Sequence, residues 1–151
     1  MSLLLRYNLI GHVVLGLLGV IVFYAAWLAL LKQNFSLKFL RFLSGAGLTF
    51  FLLSLLSGGY YYVQHYGNVV KPIIKAGRYP WAHSVIMETK EHVFLFLPFL
   101  AAVVFLVFWL LGERIGEEPK LKRPLVFLVG LIAVLGIAIL MAGITISGAA
   151  R

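Results

Sequence analysis

The chain has 151 residues, one domain's worth, of which 62% are apolar and 12% charged. Soluble domains average roughly half apolar and a quarter charged, so soluble enzymes, disordered segments and collagen-like repeats are excluded. The absence of cysteine excludes disulfide-stapled modules, thiolate metal sites, c-type haem attachment and thiol nucleophiles, and in so greasy a chain a net charge of +8 reads as basic flanks on anionic lipid headgroups rather than as a nucleic-acid surface.

A membrane-crossing helix needs roughly 20 mostly apolar residues. Four stretches meet that length, at about 8–31, 43–63, 91–111 and 125–147, with Trp81 as an alternative start for the third. Unbroken runs of this kind predict helices, since barrel strands read as short alternating segments. The first run is longer than a signal-peptide core and no small-residue cleavage site follows it, so a retained helix is expected. The expected fold is all-α, an integral membrane four-helix bundle in a single transmembrane domain over 1–151, with both termini on one side.

The connections at 32–41 and 112–123 are short. They would lie on the side opposite the termini and carry Lys32, Lys38, Arg41, Arg114, Lys120, Lys122 and Arg123. The terminal side carries Arg6, Lys71, Lys75, Arg78, Lys90 and Arg151. Seven basic residues against six make the short loops cytoplasmic and the termini non-cytoplasmic. The longer connection reads as an interfacial loop over 66–82, with Lys71, Lys75 and Arg78 at helical spacing. Tyr60, Tyr61, Tyr62, Tyr66, Tyr79 and Trp81 suit an aromatic belt or the lining of a cofactor or quinone pocket.

Polar residues within spans are functional candidates by default. All four histidines fall towards one end: His12 a turn into the first span, His65 at the close of the second, His83 before the third and His92 at its entrance. Glu88 and His92 share a helical face, and Glu91 flanks it; His83, Met87 and Lys90 share a different face. Gly16 and Gly19 follow His12 at helical spacing, and Gly58 lies on a stripe with Ser54 and His65. Small residues beside a histidine leave room for a flat macrocycle, and they are equally ordinary packing devices. The fourth span, with Gly130, Ala133, Gly136, Ala142 and Gly143, reads as a packing partner.

Two histidines at matched depth on different helices are what a b-type haem requires. His12 and His92 are the first-choice axial ligands. His65 and His83 form a second pair if two haems bind. Glu88 or Glu91 would orient a ligating imidazole, and Arg78 or Lys90 would meet propionates. With His12 in the first span and the run Trp81, Ala82, His83 before the third, the layout resembles small four-helix membrane haem-b proteins. These include the transmembrane cytochromes b and the bacterial membrane protoporphyrinogen oxidases. The resemblance implies one-electron transfer between a membrane quinol and a redox partner, with other membrane or redox subunits as neighbours. It differs from the diheme cytochromes in having every histidine at one end. The alternatives are a non-catalytic accessory subunit and a non-haem His/Glu metal site; transport ranks low, because polar residues at mid-span are few.

Overall fold

The computed structural model describes residues 1–150; Arg151, counted above with the terminal side, lies outside them. The described residues are helical, with no strand. In chain order they form α1 (Leu3–Leu31), α2 (Leu37–Tyr61), a π-helical stretch (Tyr62–Val70), α3 (Lys71–Ala76), a second π-helical stretch (Ala82–Met87), α4 (Glu88–Leu110), α5 (Gly112–Glu117) and α6 (Pro119–Ala149). Four continuous helical runs are long and apolar enough to cross a membrane.

All four runs start earlier than the expected spans, at Leu3, Leu37, Ala82 (next to the alternative start) and Pro119, and the second ends much later, at Ala76. The first helix begins at Leu3, because the Ser2 hydroxyl accepts the Leu5 amide at 3.4 Å and caps it. The second run does not end at 63. It continues through the π-helical stretch to Ala76, so the segment read as an interfacial loop over 66–82 is helix except around residues 77–80. Gly77 and Pro80 make the break: glycine ends the helix, and proline disfavours helical geometry in the residue before it.

α1 packs on α2 and α6, and α4 packs on α2 and α6, so α1 and α4 stand diagonally across the bundle. The α1–α2 seam is reciprocal. A Cβ on Gly19 would stand 2.6 Å from the Phe51 ring, and one on Gly47 would stand 2.5 Å from the Phe23 ring. Each glycine therefore receives the phenylalanine of the other helix, and the two rings stack at 5.5 Å. Gly136 receives Val20 and Gly130 receives Trp27 in the same way, which makes α6 a packing partner as its small residues suggest.

The inward stripe of α4 is Leu97, Ala101, Val104 and Phe108, at coiled-coil spacing. At the far end, Arg41 donates to the Phe108 carbonyl at 3.0 Å and to the Trp109 carbonyl at 3.4 Å. These are free carbonyls at the end of α4. Only 28–33% of the residues in each apolar window are buried within the bundle. The remaining apolar surface, with Leu56, Phe96, Phe99 and Phe127 among the most exposed, faces outward. Apolar patches of this extent are not borne by soluble monomers.

Candidate functional site

The inner faces of the four runs leave two adjoining cavities of about 460 and 590 Å³ at the histidine end. His12, Lys90, Phe94, Gly143 and Ser147 line both. Both π-helical stretches contribute to the smaller one, through Tyr62 and Tyr66 from the first and Met87 from the second. A π-turn changes which side chains face inward, and such turns recur at functional sites.

His12 is held by α2. Its Nδ1–H donates to the Ser54 carbonyl at 2.8 Å and lies 3.1 Å from the Ser54 hydroxyl oxygen. That hydroxyl donates in turn to the His12 carbonyl at 2.9 Å. Ser54 is fully buried and His12 half-buried, so the loop of bonds is partly shielded from competing solvent. With the proton on Nδ1, Nε2 of the neutral ring is a bare lone pair. Two glycines make room for this arrangement. A Cβ on Gly58 would stand 2.5 Å from His12 Nδ1, and one on Gly16 would stand 3.2 Å from Ser54 Oγ. Phe94, diagonally opposite on α4, meets the imidazole edge to face at 5.7 Å.

Lys90 and Glu91 bring charge to this apolar space. No carboxylate among the described residues lies within ion-pairing distance of the Lys90 ammonium. That ammonium lies 3.7 Å from where a Cβ on Gly143 would stand. Glu91 lines the smaller cavity, and its Oε1 is buried without a hydrogen-bond partner. Tyr62 and Tyr66 stack at 5.2 Å on the same wall.

The other expected ligands are placed differently. His92 is exposed, and its Nδ1–H donates to the Glu88 carbonyl one turn back, at 2.6 Å. It lines neither of the cavities that His12 lines. The reason is rotation about the α4 axis. Extending the buried stripe backwards from Leu97 gives Phe94, Lys90, Met87 and His83, and it leaves His92 outside. His65 and His83 meet different neighbours. His65 is half-buried beside Tyr61, ring centres 5.6 Å apart, whereas His83 is buried and its Nδ1 lies 3.0 Å from the Tyr66 hydroxyl. Arg78 stacks over Tyr79 at 5.6 Å, away from the cavities, while Lys90, expected at a propionate on the rim, lies inside. Among the described residues no three histidine or acidic side chains converge as a metal-holding group, so the His/Glu metal centre is not assembled.

Of the residues singled out in the sequence, His12, Gly16, Gly58, Glu91 and Lys90 line the cavities, and Ser54 has no function in that reading. Its signal was present: Ser54 precedes Gly58 by one helical turn, the spacing at which a carbonyl and a gap on one face can hold a ring.

Comparison of the chain with family models, curated proteins and solved structures found no match. The side chains of the cavity therefore carry the functional reading.

Proposed function

We propose that this chain is an integral membrane protein that binds a lipid-soluble quinol in the cavity beside His12. The observation that carries the reading is His12 itself: an imidazole locked by Ser54, with a free acceptor nitrogen, lining a mainly apolar cavity that also holds Lys90 and Glu91. A quinol hydroxyl donates to Nε2, and the ring lies against Phe94 and the Tyr62–Tyr66 wall. The Lys90 ammonium supplies a donor for an oxidised, carbonyl form of the same molecule. A volume of about 460 Å³ lies within the usual range for small-molecule sites, as does a lining of apolar groups with few polar ones. Val63 and Leu95 line the cavity and are also exposed, so an apolar tail has an exit into lipid. The second helical run is 40 residues long, about 60 Å at the usual rise, twice a hydrocarbon core of about 30 Å. Its histidine end therefore reaches the headgroup region. The balance of basic residues favours a non-cytoplasmic position for that end.

A single-histidine haem b is the second reading. It is favoured by the carbonyl anchor on Nδ1, the arrangement that orients metal-ligating histidines. One imidazole on the cavity fits one axial position, and no second imidazole faces it. Nanodisc-embedded protein separates these readings through its visible spectrum and through titration with a short-tailed benzoquinol. A colourless protein that binds the quinol through His12 supports the first. A haem spectrum lost in His12→Ala supports the second. Neither signal leaves a structural accessory subunit.

A further inference from the structure

We propose that Tyr66, His83 and Glu88 form a proton relay from the cavity to the aqueous surface. The proposal rests on the cavity holding a hydroxylic guest, as above, and adds where that guest's proton goes. Tyr66 lines the cavity and is 3% exposed. Its hydroxyl lies 3.0 Å from Nδ1 of His83, which is 1% exposed. Nε2 of His83 is buried without a hydrogen-bond partner, 4.0 Å from Oε1 of Glu88. The Glu88 side chain is 56% exposed. Three groups thus run in order from an apolar cavity to a solvated carboxylate.

An unpartnered ring nitrogen in so buried a histidine needs an explanation. The relay supplies one: the nitrogen is a transfer point whose partner approaches through one Glu88 rotamer change or one bridging water. Tyr66 donates to Nδ1, so neutral His83 carries its proton on Nε2. A proton leaving the guest passes to the Tyr66 oxygen as the Tyr66 proton passes to Nδ1. The imidazolium then releases its Nε2 proton to the Glu88 carboxylate, and Glu88 releases it to water. One O–H bond breaks at the guest, one forms in bulk water, and no electrons are exchanged within the relay. Lys71 and Lys75 at the end of the second helical run also act electrostatically on His83, as does Glu88 from α4. On the cavity side, Glu91 acts on Tyr66.

Nitrogen NMR of histidine-labelled protein in nanodiscs tests the relay without any guest. The expected result is an Nε2–H tautomer for His83 whose proton exchanges with water, slowed by roughly tenfold or more in Glu88→Gln. In Tyr66→Phe the hydrogen-bond shift at Nδ1 disappears. Tyr66→Phe and Glu88→Gln are near-isosteric, so the histidine resonances also report whether the fold is kept. An Nδ1–H tautomer, or exchange indifferent to Glu88→Gln, overturns the relay. Benzoquinol titration in parallel tests the cavity reading on its own: absent binding refutes that reading, while the His83 exchange rates still decide for or against the relay.

Discussion

Adding one methyl group at Gly58 should disable His12 without touching it covalently. In Gly58→Ala the new Cβ would stand 2.5 Å from His12 Nδ1 and 2.6 Å from its Cε1. Those atoms belong to a rigid ring held by Ser54, so the imidazole must swing off the Ser54 carbonyl. The variant then loses a part-buried hydrogen bond and leaves an unmatched polar group, about 1–3 kcal/mol in total. If that free energy is withdrawn from the bound state, quinol affinity falls by about 5- to 150-fold. Gly59→Ala is the control. Gly59 lines the same cavity, but its Cβ would meet nothing within 4 Å. Titration of nanodisc-embedded protein with a short-tailed benzoquinol, followed by quenching of tyrosine and tryptophan fluorescence, gives both affinities. In a His12→Ala background Gly58→Ala should have no further effect, because the ring it displaces is gone. Equal affinities for Gly58→Ala, Gly59→Ala and the unaltered chain would refute the reasoning.

Three further outcomes follow from the packing. Ser54→Ala removes the hydroxyl that donates to the His12 carbonyl of α1, a bond additional to that carbonyl's own helical one; detergent-solubilised protein should lose about 0.5–1.5 kcal/mol of stability in a denaturation titration. Gly47→Ala drives a Cβ to 2.5 Å from the Phe23 ring and should destabilise the α1–α2 seam by about 1–3 kcal/mol. Thermal unfolding of that variant is compared with Gly148→Ala, where the added Cβ meets nothing within 4 Å. Arg41→Ala removes two carbonyl contacts at the end of α4 and a guanidinium 5.3 Å from the Trp109 ring. It should raise hydrogen exchange in the last turn of α4 by about fivefold or more, whereas the cavity end stays protected.

The number and order of the long helices were legible in sequence, because runs of apolar residues broken by charged connections state them directly. The inward faces were not. α1, α2, α4 and α6 are apolar all round, so they lack the polar–apolar contrast that orients a soluble helix. The inward direction of His12 is legible because Gly16 and Gly19 mark the inner side of α1. The outward direction of His92 is not, because depth along α4 carries no information on rotation about it. Ala101, at seven-residue spacing from Phe94 and Phe108, carried the rotational signal, and it assigns the inside to Lys90 and Met87. The extension of the second run past Val63 is hidden by Gly67, which reads as loop. The helical spacing of Lys71 and Lys75 agrees with α3, and Pro72 sits in its first turn, where its missing N–H costs least.

Photoaffinity labelling tests the central claim most directly. A short-tailed quinone bearing an aryl azide would be irradiated with the nanodisc-embedded protein, and the labelled peptides identified by mass spectrometry. Binding beside His12 predicts adducts on the second helical run from Gly58 to Tyr66 and on the third from Met87 to Phe94, abolished by excess unlabelled benzoquinol and by His12→Ala. Adducts confined to outward residues such as Phe96, Phe99 and Phe127, unaffected by competitor, would contradict it.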